Sequence, residues 1–142
     1  HDEMGITADD EKTVKAMQEK RKRKQETIKK EIKRLKAVEV FGKKNSKVAL
    51  VSFGISAGAA KEVAENLNLK LIQPLVLEPF PTEQFQKALS QTKKVFTAEL
   101  NSSGQLAKLL NQQGIKVDGK ILKYTGRPFF PEEIEKELKR KI

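Results

Sequence analysis

The 142-residue chain contains no cysteine, no tryptophan and a single histidine, His1, which is its first residue. Without cysteine there is no disulfide, no thiolate nucleophile, no iron–sulfur ligation and no cysteine-type zinc site. Without a second histidine, a histidine metal cage and a Ser–His–Asp triad both lack parts. No long apolar run is present either. The longest, Val48 to Ala60, is interrupted by Ser52, Gly54, Ser56 and Gly58, whereas a membrane span needs about 20 apolar residues. The opening HDEMGITADDEK is acidic and polar, unlike a secretory signal. A cytoplasmic protein is the expectation, with no membrane partner. The first residue is His, so either Met4 is a start or the chain is a piece of something longer.

What the sequence does have is positive charge. Its 29 Lys and Arg against 19 Asp and Glu give a net charge of +10, with a pI near 9.7. The excess is densest between Lys20 and Lys36, where ten bases face two acids. Residues 8–38 hold no Pro or Gly and are expected to form one long helix or two joined ones. Asp9 and Asp10 supply its cap. Ile28, Ile32, Leu35 and Val38 form a helical stripe that vanishes between Gln18 and Thr27. A helix polar all round over that stretch crosses solvent, leans on a partner or frays. A turn is expected at Gly42–Ser46.

From Lys47 the texture alternates between strand and helix. Strands are expected at 47–53, 69–77 (broken by Pro74), 93–100 and 120–124. Helices are expected at 56–67, 81–89, 103–111 and 131–141, the second and fourth opened by Pro81 and Pro131 with acidic residues in the first turn. This order predicts an α/β fold: a three-layer sandwich around a small, mostly parallel sheet, with an N-terminal basic helix outside it. The boundary is placed between residues 46 and 47, separating a basic linker helix (1–46) from an α/β domain (47–142).

Gly54-Ile55-Ser56-Ala57-Gly58 matches G-x-S-x-G at a strand-to-helix turn. No His follows Ser56, so a hydrolase reading has no base. The simpler reading is a tight turn of small residues with Ser56 as the helix cap. The turn also has the place of an anion site, but the G-x-G-x-x-G and Gly-Lys-Ser/Thr patterns are missing. Glu99-Leu100-Asn101-Ser102-Ser103-Gly104-Gln105 is a second such turn. Asn101 or Ser103 can cap the helix. Glu99 and Gln105 are polar beyond what capping needs, which suits contact with another chain. Tyr124–Pro131 reads as a loop carrying an aromatic pair, Phe129 and Phe130, and one Arg127, serving as a packing plug or an interface strap. The basic arm allows a nucleic-acid alternative through residues 20–36. However, no aromatic interleaves the run for base stacking, and Glu19, Glu26 and Glu31 are spaced to pair along a helix.

Four stretches together resemble the C-terminal part of the alpha subunit of 2-oxoacid:ferredoxin oxidoreductases, most closely the 2-oxoglutarate branch. They are VSFGISAGAAKEVAE, LIQPLVLEPFPTEQFQKAL, KKVFTAELNSSGQLAKLL and ILKYTGRPFFPEEIEKEL, in the family's order. The third carries the glutamate–x–asparagine–x–x–glycine–glutamine pattern as Glu99, Asn101, Gly104 and Gln105. The fourth carries tyrosine–x–glycine–arginine–proline as Tyr124, Gly126, Arg127 and Pro128. Ser102 and Phe130 depart from the family, which commonly has an aromatic and a capping Thr at those places.

The resemblance implies a transketolase C-terminal-like domain, structural and inactive alone. It packs against the N-terminal domain of its own subunit and against a beta subunit, with ferredoxin as an indirect partner. The whole complex would use thiamine diphosphate, Mg and an iron–sulfur cluster, decarboxylating a 2-oxoacid, passing electrons to ferredoxin and the acyl group to coenzyme A. No catalytic, cofactor-binding or metal residue is assigned in this chain. Glu99, Asn101, Gly104, Gln105 and Arg127 are the expected interface residues.

Overall fold

A computed structural model describes all of residues 1–142, which separate into two compact units, His1–Lys36 and Ala37–Ile142. The first unit is built on helix α1, Glu11–Ile32. Asp10 caps it by accepting from the Thr13 amide at 2.8 Å, as its residue type and place predict. Most of α1 is exposed. Lys20 pairs with Glu3 and Lys29 with Glu26, while Arg21, Lys22, Arg23 and Lys24 make no ion pair.

The expected helix to residue 38 is too long. It ends at Ile32, and Val38–Gly42 is a strand, β1. The stripe 28, 32, 35, 38 runs two periods together. Val38, Val40 and Phe41 belong to an extended segment in which side chains alternate between faces. Consequently the compact unit starts at Ala37 rather than at residue 47.

The second unit continues with β2 (Val48–Val51), α2 (Ser56–Asn66), β3 (Lys70–Pro74), α3 (Thr82–Ala88), β4 (Lys94–Glu99), α4 (Gln105–Gln112), β5 (Gly119–Leu122) and α5 (Pro131–Lys139). The sheet order is β1-β3-β2-β4-β5. Strands β2 to β5 pair in parallel, and β1 is antiparallel along the outer edge of β3, with Val40 opposite Ile72. The sheet is therefore mostly parallel, as expected, with one additional antiparallel strand.

Period-two alternation divides the sheet between two cores. Leu50, Leu71, Phe96, Ala98 and Ile121 pack with α2 and α5 through Ala60, Val63, Ile134 and Leu138. Ala49, Val51, Ile72 and Val95 pack with α3 and α4 through Phe85, Leu106 and Leu110. Because both faces are covered, the strands read as apolar runs rather than alternating ones. One charge sits inside. Lys70, 1% exposed, donates to the carbonyls of Ala88 and Ser90, each at 2.9 Å, and to Thr92 Oγ1 at 3.2 Å. Its ammonium satisfies carbonyls at and just past the end of α3 and fastens that helix to β3. Burial, with Lys47 nearby, holds its pKa below the usual lysine value.

Candidate interface at the carboxyl edge of the sheet

The strand order reverses between β2 and β4, and in open parallel sheets the carboxyl side of that point is where ligands gather. Three segments meet at this edge here: the β2–α2 turn (52–55), the β4–α4 turn (100–104) and the β5–α5 loop (123–130).

The β4–α4 turn is built around Glu99, which is 1% exposed. Its carboxylate accepts from the amides of Leu106 (2.7 Å) and Ala107 (3.1 Å), from Thr97 Oγ1 (2.9 Å) and from Asn101 Nδ2 (2.9 Å). Asn101 Oδ1 in turn accepts from the amides of Ser103, Gly104 and Gln105. These two side chains satisfy the amides that a helix start leaves open. A carboxylate at this N-terminus also suits the helix dipole. The buried position is stable because every contact on the oxygens is a donor. Gly104 adopts φ +67°, and a Cβ there would lie 2.8 Å from Lys120 Cδ. Gly104 holds the N-cap position of α4, so neither Asn101 nor Ser103 is the cap; Asn101 accepts the first helical amide, Gln105, and Glu99 the next two.

The β2–α2 turn differs. The residue preceding α2 is Ile55, and no side chain caps the helix. Ser56, expected as the cap, is instead the first helical residue. It is 4% exposed and hydrogen-bonded to no base. A hydrolytic role therefore lacks the nucleophile–base contact it needs.

In the β5–α5 loop, Lys123 Nζ donates to Glu133 Oε1 and Oε2 at 2.7 and 2.6 Å and to the Pro128 carbonyl at 2.9 Å. Glu133 Oε2 also accepts from the Phe130 amide at 2.8 Å. The Lys123 ammonium and this amide hold the Glu133 carboxyl below its ordinary value. The aromatic pair divides: Phe129 is buried in the core at 8% exposure, and Phe130 is 66% exposed. The loop departs from a simple plug because only its first ring reaches the core.

Of the five expected interface residues, the structure brings Glu99, Asn101 and Gly104 into one hydrogen-bonded cap, with Glu99 and Gly104 buried. Gln105 is exposed at the start of α4, and Arg127 is exposed on a separate loop. Arg127 lines a cleft of about 310 Å³ together with Ile55, Leu100, Lys123, Tyr124, Gly126 and Pro128. Sequence reasoning passed over Lys70, Lys123 and Ile55. For Lys70 the signal was a charged letter within the apolar run LKLIQP. For Ile55 there was none, since an exposed isoleucine reads like a buried one. No group of three or more His, Cys, Asp and Glu is placed to hold a metal ion. The chain has no cysteine, so it brings no thiolate ligand for an iron–sulfur cluster.

Residues 46–134, including this edge, match the family model described as pyruvate:ferredoxin oxidoreductase core domain II. The chain belongs to that family. Among curated proteins, the chain is similar to the 2-oxoacid:ferredoxin oxidoreductase subunit alpha of Saccharolobus solfataricus. The two are 33% identical over 145 residues, covering 98% of this chain and 23% of that protein. Among solved structures, the chain superimposes on a 2-oxoglutarate:ferredoxin oxidoreductase from Magnetococcus marinus with a TM-score of 0.75. The identity is 26%, covering 99% of this chain and 25% of that one. That structure has 2-oxoglutarate, coenzyme A and succinyl-CoA bound. A split-gene transketolase, in an inactive beta4 tetramer, shares the fold at a TM-score of 0.54 and 16% identity, over 75% of this chain and 42% of that one. The chain spans about a quarter or less of the length of these oxidoreductase chains. No helix is long and apolar enough to cross a membrane.

Proposed function

We propose that this chain is a structural and assembly domain of a 2-oxoacid:ferredoxin oxidoreductase alpha subunit, with no catalytic group of its own. The observation that carries this reading is that essentially the whole chain, α1 included, aligns with one segment of an alpha subunit that is several times longer. In this reading the oxidative decarboxylation of the 2-oxoacid to acyl-CoA takes place on other parts of a cytoplasmic assembly. The thiamine diphosphate, Mg and iron–sulfur sites lie there too, this chain having no cysteine for a cluster. The partners are the N-terminal domain of the same subunit and a beta subunit, with ferredoxin further along the electron path. A 2-oxoglutarate substrate is supported by the likeness to the Magnetococcus marinus enzyme.

The carboxyl edge supplies the contact surface, through Gln105, Arg127 and the exposed side of Asn101, while Glu99 and Gly104 hold that surface in shape. The nucleic-acid alternative gains nothing from the geometry of α1, whose bases have no aromatic side chain between them. The test is calorimetric titration of thiamine diphosphate with Mg into the 142-residue chain, alongside a viologen-reduction assay with 2-oxoglutarate and coenzyme A. Neither binding heat nor dye reduction is expected. Micromolar binding of the cofactor would overturn the proposal.

A further inference from the structure

The cleft between the β2–α2 turn and the β5–α5 loop combines three features that the fold itself does not use. The first is positive charge without a partner. Arg127 makes no hydrogen bond or ion pair, and no acidic residue lines the cleft. Lys123, also in the lining, is already neutralised by Glu133, so the free cation is the Arg127 guanidinium.

The second feature is an uncapped helix start on the opposite wall. Ile55, the residue before α2, lines the cleft, and α2 has no side-chain cap. Ser56 follows it, 4% exposed, and its hydroxyl makes no hydrogen bond. Every sealed side-chain polar atom in the structure has a partner, so this oxygen is not fully sealed, although Ser56 itself is not among the residues that line the cleft. The contrast with α4 is direct, because there Glu99 already supplies an internal carboxylate to the helix amides.

The third feature is exposed apolar surface at the same edge. Ile55 is 74% exposed and Tyr124 71%, and both line the cleft. Phe53 and Leu75, at 36% and 47%, follow the ends of β2 and β3. An exposed Tyr and Arg within an apolar surround is the composition of protein–protein hot spots. A small free anion would need the charge but not the apolar rim.

We propose that this cleft receives a polypeptide segment that presents a carboxylate beside an aliphatic side chain. The carboxylate lies between Arg127 and the start of α2, as charge complementarity requires, and the aliphatic neighbour covers Ile55 and Tyr124. The inference rests on the reading of the chain as one domain of a larger assembly, and it names the chemistry of what docks on it.

The test uses the 142-residue chain labelled with nitrogen-15 and three probes: acetyl-Leu-Asp-Leu-amide, its Asn counterpart, and inorganic phosphate. The Asp peptide should shift the amides of Ile55, Ser56, Gly126 and Arg127 saturably, with the Asn peptide at least tenfold weaker. Arg127→Gln, at an exposed and unpaired position, should leave the remaining spectrum in place and weaken the Asp peptide at least tenfold. Equal binding of the two peptides, phosphate binding at the same amides as tightly as the Asp peptide, or no shift at the solubility limit would each overturn the proposal. The readout is binding rather than turnover, so its failure would leave the assembly-domain reading standing.

Discussion

Two buried charged residues, Glu99 and Lys70, show how one side chain can fix an element in this fold. Glu99 accepts four donors and forms the start of α4 from the end of β4. Glu99→Gln keeps the size but places an amide donor against backbone donors. It should cost about 2–4 kcal/mol, as expected for a broken buried charged network, read by urea denaturation. Lys70→Met should cost about 1–3 kcal/mol, because acceptors at and just past the end of α3 lose their only side-chain donor. Glu133 titrates on the acid side. Its folded pKa is depressed, so its contribution is fully present above the unfolded value of 4.5. That contribution is lost as the pH falls through the lower folded value. Glu133→Gln should therefore flatten the acid limb of the stability profile below about pH 4.5, while wild-type stability keeps falling there. The sequence marked Glu99 and Gln105 as polar beyond need, and for Glu99 the need is internal. A lone letter carries no information on which way a side chain turns.

At the scale of elements, the four parallel strands and four helices of the second unit were legible within a few residues, because strand–turn–helix punctuation is strong in buried parallel sheets. Strand β1 was not. Its VEVFG carries a period of two, but it is short and follows a helix whose apolar spacing runs straight into Val38. Local periodicity could not separate the two, and pairing with β3, more than thirty residues away, decides it. Gly42 ends this strand at φ +68°, and a Cβ there would overlap the Leu69 carbonyl oxygen. Backbone cannot yield as a flexible side chain would. Gly42→Ala should cost about 2 kcal/mol or more and raise hydrogen exchange along β1 and the outer edge of β3. At Gly104 the neighbour is the movable stem of Lys120, so Gly104→Ala should cost only about 1 kcal/mol.

At the scale of the molecule, the unit that begins at Ala37 carries the whole sheet. Residues 37–142 should unfold in one cooperative transition by circular dichroism. Residues 47–142, lacking β1, leave the β3 edge unpaired and should aggregate on light scattering. The family was readable in the sequence because four motifs occur in order, although each is weak alone. Which surface meets a partner was not readable there, because exposure of Ile55 and Tyr124 depends on strand order rather than on residue type.

The most direct measurement starts in the native source, with an antibody raised against residues 37–142 used for non-denaturing purification. The account predicts that it recovers a polypeptide several times longer than 142 residues. That polypeptide should be accompanied by a second subunit and should catalyse coenzyme A-dependent viologen reduction with a 2-oxoacid. Recovery of a free-standing 16 kDa chain without that activity would contradict it.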